Sequence, residues 1–90
     1  MKAEQLRDLR VALLRELYRL NPLGRRAVVL HMLVQPEVEC TVAEVTAQLS
    51  FLRGKHFLCE VKADDISPGL DPFWFITTES MVHCEAKRLV

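Results

Sequence analysis

The chain has 90 residues, of which 50% are apolar and 27% are charged, and its formal net charge is zero. This size and composition fit one globular domain over residues 1–90 and exclude a disordered chain. No apolar run reaches the roughly 18 residues of a membrane-spanning helix, so we expect no membrane association. The charged N-terminus lacks the apolar core of a signal peptide, which predicts a cytoplasmic protein, and three cysteines argue against a disulfide framework.

A first helix is predicted from about Ala3 to Leu20. Its leucines recur at steps of three and four residues and form one stripe along the helix, at Leu6, Leu9, Leu13, Leu17 and Leu20. Packing in the core of the domain explains such a stripe. A helix that pairs with a second copy in a short coiled coil is the alternative.

A second helix is predicted from Pro22 to about Val34, with Asn21 as its N-cap. Its sequence from Ala27 onwards leaves almost no polar face, which predicts a mostly buried helix. The alternating segment Glu37–Cys40 then has the pattern of a short edge strand that is protected by its two glutamates.

The third helix is predicted to begin at Thr41, because Thr41 and Glu44 have the spacing of a capping box. Gly54 is the predicted breaker at its C-terminal end. Four apolar residues of this helix are expected to face the core: Val42, Val45, Leu49 and Leu52.

Two strands and a short helix complete the chain. The strands are predicted at 57–62 and 73–77, and the loop between them, at 63–72, contains Asp-Asp, Pro-Gly and Asp-Pro. A cap within Thr78–Ser80 opens a last helix that is predicted to end near Arg88.

The order helix, helix, helix, strand, strand resembles the winged helix-turn-helix superfamily over nearly the whole chain. The segments that carry the resemblance are Thr41–Leu49, its continuation Leu49–Leu52, the strand from Phe57, and Phe73–Glu79. The motifs Leu14–Tyr18 and Leu49–Leu52 are also similar to those of small winged-helix proteins of Mu-like phages and prophages. The pattern departs from the superfamily at His56, where a glycine normally enters the wing, and at Thr77–Ser80, which lacks the glycine that leaves it.

The resemblance implies a mainly α fold with a small β-hairpin, of the α+β class. It implies about three main helices, a two- to three-stranded antiparallel wing sheet and a short C-terminal helix. It also implies a small protein that binds double-stranded DNA and regulates transcription, with the helix at 41–54 as recognition helix. For a phage- or prophage-encoded protein, the cytoplasm in question is that of the host cell.

A recognition helix presents hydrogen-bond donors to base edges and cations to phosphates. Gln48 has the groups to read an adenine, and Ser50 and Arg53 have groups that reach phosphates. A candidate phosphate-binding patch combines Arg25 and Arg26, which open the second helix, with Arg53 and Lys55, which follow the third. Four solvated surface charges are the plain alternative.

The charge distribution argues partly for and partly against DNA. Residues 1–34 carry seven basic and three acidic side chains, a balance of +4, so attraction to DNA would come mainly from the N-terminal helices. Glu44 on the third helix would repel phosphates, although a glutamate can accept a hydrogen bond from cytosine. The predicted wing tip is acidic as well, because Asp64, Asp65 and Asp71 face only one nearby cation, Lys62.

Phe51 separates DNA binding from the alternative function. By angular position it lies opposite the apolar seam of the third helix, beside Ala47 and Glu44. If Phe51 is exposed, these residues would form a surface for a protein partner or a homodimer. If the last helix or the strand pair covers Phe51, it is ordinary core. The alternative function is a protein-protein interaction or dimerisation module on a winged-helix scaffold that does not bind DNA.

Enzymatic and metal chemistry is not expected. The sequence has no P-loop, dinucleotide fingerprint or Gly-x-Ser-x-Gly motif, so we predict a non-enzyme without a cofactor or small-molecule substrate. Four residues of the kinds that bind zinc occur in His56-x-x-Cys59 and His83-Cys84. Their spacing matches no common zinc finger, so we predict no metal site. His31 is predicted to be a hydrogen-bonded core histidine.

Overall fold

The computed structural model describes residues 2–61 and 72–89. These residues form four helices and a two-stranded antiparallel sheet, in the order α1 (Ala3–Leu20), α2 (Ala27–Val34), α3 (Val42–Gly54), β1 (Leu58–Val61), β2 (Phe73–Ile76) and α4 (Thr78–Ala86). The predicted mainly helical α+β class is confirmed. Lys62 and the three predicted wing-tip aspartates, Asp64, Asp65 and Asp71, lie outside the described residues. Within the described part, no helix is long and apolar enough to cross a membrane.

The leucine stripe of α1 forms the centre of the core. Leu9, Leu13 and Leu17 are fully buried and pack with residues from α2, α3, α4 and both strands. Leu6 and Leu20, at the two ends of the stripe, are half-buried. Core packing is therefore the correct interpretation of the stripe. Its central leucines are buried within the chain and so are not available to pair with a second copy in a coiled coil.

The segment before α2 joins the sheet instead of the helix, so the predicted helical start at Pro22 is wrong. The backbone amide of Arg25 donates to the Trp74 carbonyl at 3.1 Å, and the Trp74 amide donates to the Arg25 carbonyl at 2.9 Å. Gly24 permits this approach, because a Cβ there would lie 2.6 Å from the Phe75 ring. These non-local bonds delay the helix until Ala27, with Arg26 as its N-cap residue.

The segment Glu37–Cys40 is not a strand, contrary to the sequence prediction. The amides of Glu37 and Val38 both donate to the Val34 carbonyl, at 3.0 and 2.8 Å, and form a turn at the end of α2. Glu37 pairs with Arg15 of α1 at 2.9 Å. The alternation of polar and apolar residues thus reflects a turn with one outward ion pair, because no described strand lies beside it.

Helix α3 follows its predicted bounds closely. The Thr41 hydroxyl accepts a hydrogen bond from the Glu44 amide at 3.1 Å, and the Glu44 carboxylate accepts one from the Thr41 amide at 2.8 Å, which together form the predicted capping box. Val45, Leu49 and Leu52 are buried as expected. Val42 is 37% exposed instead, because it lies in the first turn, where the helix extends past the core.

Strands β1 and β2 pair in antiparallel register, with Glu60 opposite Trp74. Strand β1 begins one residue later than predicted and β2 ends one residue earlier, while the predicted end of β1 at Lys62 lies outside the described residues. Helix α4 begins one residue after Thr77, whose hydroxyl accepts a hydrogen bond from the Ser80 amide at 3.1 Å. The Thr77 amide also donates to the Phe57 carbonyl at 3.1 Å, and this bond fixes the position of α4 relative to β1.

Candidate nucleic-acid interface

The outer face of α3, the side turned away from the core, consists of small side chains and one aromatic ring. Its exposed residues are Ala43, Thr46, Ala47, Ser50 and Phe51. Glu44 is half-buried, and its carboxylate is held at the N-terminal end of the helix by the capping box. The α3 outer face therefore carries no carboxylate of its own, and the repulsion expected from Glu44 is confined to one end.

Gln48 is bound by a residue that the sequence analysis did not single out. The Nε of Arg10, on α1, donates a hydrogen bond of 2.6 Å to the Gln48 side-chain oxygen. A glutamine that reads adenine uses its oxygen and its NH2 group together. With the oxygen occupied, Gln48 keeps its NH2 group for an outside partner and holds the Arg10 guanidinium in place.

Phe51 is 41% exposed, so its interpretation as ordinary core is wrong. The guanidinium carbon of Arg10 lies 3.9 Å from the centre of the Phe51 ring, and the Lys55 ammonium lies 5.7 Å from it. Each such contact contributes about 0.5–1 kcal/mol at an exposed site. We call Arg10, Gln48, Phe51 and Lys55 the Arg10 cluster. It gathers two cations beside the C-terminal half of α3.

Arg53 has its charge balanced inside the molecule. It forms an ion pair with Glu60 of β1, and its guanidinium carbon lies 5.9 Å from the centre of the Trp74 ring. This residue is 46% exposed at its side chain. Its geometry suits a structural link between α3 and the sheet better than a direct phosphate contact.

The predicted patch of Arg25, Arg26, Arg53 and Lys55 is divided between different neighbours. Lys55 belongs to the Arg10 cluster, whereas Arg53 lies beside Trp74. Arg25 donates from Nη1 to the Gly24 carbonyl at 2.8 Å, and the Arg26 guanidinium carbon lies 4.8 Å from the centre of the Phe73 ring. Three of these four cationic side chains thus contact an aromatic ring. The rings beside Arg26 and Arg53 belong to β2, and the ring beside Lys55 belongs to α3. Ser50 is exposed, as the DNA hypothesis requires.

Two of the four residues considered for metal chemistry, His83 and Cys84, are packed against other parts of the domain. His83 stacks on Phe57 with ring centres 5.0 Å apart, and Cys84 is fully buried. Burial raises the pKa of the Cys84 thiol, which disfavours the thiolate that binds metals. Among residues 2–61 and 72–89, no three metal-binding side chains lie together. His31 is hydrogen-bonded as predicted, with its Nε2 2.8 Å from the Cys40 carbonyl oxygen.

A scan against protein-family models and searches of the curated proteins and the solved structures found no match for this chain.

Proposed function

We propose that this chain is a small winged-helix protein that binds double-stranded DNA through the outer face of α3 and regulates transcription. The observation that carries the proposal is the combination of an uncharged α3 outer face, whose side chains are small except for Phe51, with the cations of the Arg10 cluster beside it. A helix that enters a major groove approaches base edges closely, and its neighbours must neutralise phosphates. Carboxylates on that face would oppose binding, and α3 holds its single glutamate in the N-terminal cap.

The connectivity supports the winged-helix part of the proposal. Between α1 and α2 the chain makes a short antiparallel contact with β2 through Arg25 and Trp74. The resulting order is helix, short extended segment, helix, helix, strand, strand, with the first extended segment beside the last strand. This extra pairing gives the sheet a short third segment, which is compatible with the two- to three-stranded wing sheet that the resemblance implies, although the third strand was predicted at Glu37–Cys40 and not here. In the proposal, α2 and α3 supply the helix-turn-helix.

Each side chain has a defined part in this proposal. Arg10 and Lys55 bind phosphates at the C-terminal half of α3, and Gln48 positions Arg10 for that contact. Ser50 faces the groove, where its hydroxyl can donate to or accept from a base edge. Arg25 and Arg26 supply further positive charge at the start of α2. Arg53 supports α3 through Glu60 and makes no phosphate contact of its own.

The test is a titration of purified protein against random-sequence duplex DNA at about 50 mM and about 200 mM salt, followed by fluorescence anisotropy. Micromolar affinity that falls steeply with salt is expected, because phosphate contacts release counterions. The variant Arg10→Gln with Lys55→Gln should lower the affinity and reduce the salt slope by about two. Arg53→Ala alone should leave the slope unchanged.

The matched control removes the same charge elsewhere. Arg19→Gln with Lys87→Gln also lowers the net charge by two, at exposed positions on α1 and after α4. This variant should retain the wild-type salt slope. Equal losses in the control and in the Arg10 cluster variant would remove the cluster from the interface. Absence of binding at the lower salt concentration would overturn the DNA function.

A second function, a protein-protein interaction module that does not bind DNA, is favoured by one observation. Phe51 is exposed next to Ala47, and two cations flank its ring. A partner with apolar side chains and carboxylates would complement this surface. Under this function, Phe51→Ser abolishes the complex while the circular dichroism spectrum is retained. Under DNA binding, the same variant still binds duplex DNA with the salt slope of the wild type, although loss of the ring that contacts Arg10 and Lys55 lowers its affinity.

A further inference from the structure

Helix α2 has no polar outer face. Ala27, Leu30 and Val34 point into the core, and the remaining arc towards solvent is also apolar. Its members are Val28, Val29, Met32 and Leu33, which are 46%, 38%, 67% and 38% exposed. We call these four residues the α2 apolar face. The prediction of a mostly buried α2 is therefore wrong, because four of its eight residues are exposed in the single chain.

The four side chains form one continuous surface. Val28 and Met32 are one helical turn apart, as are Val29 and Leu33, so the pairs make two adjacent rows. The one polar side chain of α2, His31, lies to the side and contacts the Cys40 carbonyl. A helix that is apolar on all sides is normally buried on all sides. With eight residues, α2 is too short to obtain that burial by spanning a bilayer.

The charges at the two ends of α2 are opposite. Arg25 and Arg26 precede the helix, and Glu37 and Glu39 follow it. The Glu37 amide bonds to the Val34 carbonyl, so this carboxylate lies at the C-terminal end of α2. Glu37 is paired with Arg15 but remains half-exposed, whereas Glu39 is exposed and has no ion pair among the described residues. The surface around the α2 apolar face thus runs from basic to acidic along the helix axis.

We infer that the α2 apolar face is the interface of a homodimer in which the α2 helices of two copies pack antiparallel. A two-fold interface must be complementary to itself, and this surface meets that condition. Reversing the helix places Val28 of one copy near Leu33 of the other and Val29 near Met32. It also places the basic end of each helix beside the acidic end of its partner. Antiparallel packing opposes the helix dipoles favourably as well.

This inference goes beyond the proposed function, since its apolar contact lies on α2 and not on the α3 outer face, and it is tested without DNA. Sedimentation equilibrium of the full chain from about 1 µM to about 200 µM should give a monomer–dimer equilibrium. Met32→Glu should weaken the dimer by about tenfold or more, because it brings an unpaired charge into an apolar contact. Val82→Glu is the matched control, since Val82 of α4 is 60% exposed and apolar like Met32. That control should dimerise as the wild type does.

A charge-exchange experiment tests the antiparallel arrangement without relying on the Met32→Glu substitution. Arg25→Glu and Glu39→Arg each place like charges together in their own homodimers, so each variant alone should dimerise more weakly. An equimolar mixture of the two should form a heterodimer, in which both end contacts are attractive again. Retained folding of every variant is checked by circular dichroism.

Three results would overturn the inference. The first is a wild-type monomer throughout the concentration range, including one that cosediments with neutral phosphatidylcholine vesicles and so uses the face for a lipid surface. The second is a dimer that Met32→Glu leaves as stable as Val82→Glu does. The third is a mixture of the charge variants that dimerises no better than either variant alone.

Discussion

His56 has a backbone conformation that glycine usually supplies, with φ at 65°. Its amide donates to the Arg53 carbonyl at 2.9 Å, and the Phe57 amide donates to the Leu52 carbonyl at 2.9 Å. These two bonds form a Schellman motif, which closes α3 through a left-handed residue. The glycine predicted to end the helix, Gly54, is instead its last helical residue. The left-handed His56 therefore closes α3, and the nearby Gly54 does not.

Moving the glycine to the left-handed position should stabilise the protein. His56→Gly removes the contact between Cβ and the next carbonyl and should raise the free energy of unfolding by about 0.5–1 kcal/mol, after allowance for the more flexible unfolded chain. Gly54→Ala should add about 0.5–1 kcal/mol as a better helix former, because a Cβ at this position meets no atom within 4 Å. Urea denaturation of both single variants and of the double variant measures these gains.

His56→Ala is the control for the backbone argument. It removes the imidazole but keeps a Cβ in the left-handed region, so it should give no gain in stability. An equal gain from alanine and glycine would attribute the effect to the imidazole and would contradict the backbone explanation.

At the scale of the elements, sequence patterns within a single helix were sufficient to predict the bounds of α1 and α3. The leucine period and the capping box determine α1 and α3, whose observed bounds, Ala3–Leu20 and Val42–Gly54, lie within one or two residues of the prediction. The start of α2 could not be obtained in this way. It depends on the backbone pairing of Arg25 with Trp74, 49 positions later in the chain, and no local pattern encodes that contact.

The candidate interface was predictable in type but not in its contacts. The exposure of Ser50 follows from the helical period of α3, whereas that period left open whether the last helix or the strands cover Phe51. Arg10 was missed because its importance arises from the packing of α1 against α3, which brings it to Gln48 and Phe51. The neighbour that neutralises Arg53, Glu60, belongs to a strand whose placement depends on the same tertiary packing.

The capping box at the start of α3 allows a test at the level of one helix. Thr41→Ala removes the hydroxyl that accepts from the Glu44 amide and should lower the free energy of unfolding by about 1 kcal/mol. Thr46→Ala is the matched control in the same helix. Its exposed hydroxyl donates to the Val42 carbonyl, which is already part of the helix, so its loss should be neutral or slightly stabilising. Chemical denaturation compares the two, and similar losses would contradict a specific capping role.

At the scale of the whole molecule, one core joins all the elements of residues 2–61 and 72–89. Residues of α1, α2, α3, both strands and α4 belong to the same buried cluster, with the α1 leucines at its centre. The two proposed binding surfaces, the α3 outer face with the Arg10 cluster and the α2 apolar face, lie on helices that pack directly on this cluster. Both surfaces therefore depend on the folding of the whole domain, and each can be altered at exposed positions without changing the core.

The shared core predicts that the domain unfolds as a single cooperative unit. Leu13 is fully buried in α1, so Leu13→Ala should lower the free energy of unfolding by about 2–5 kcal/mol, a large part of the total for a domain of this size. Trp74 is the only tryptophan and is 3% exposed in β2, so its fluorescence reports on the sheet, whereas circular dichroism reports mainly on the helices. The two signals should give the same urea midpoint in the wild type and the same lower midpoint in the variant.

Leu23→Ala controls for the loss of a leucine, because Leu23 is 57% exposed and its replacement should change stability by less than about 0.5 kcal/mol. A sheet signal that kept the wild-type midpoint in Leu13→Ala would mean that β1 and β2 unfold separately from α1, and it would contradict a single core.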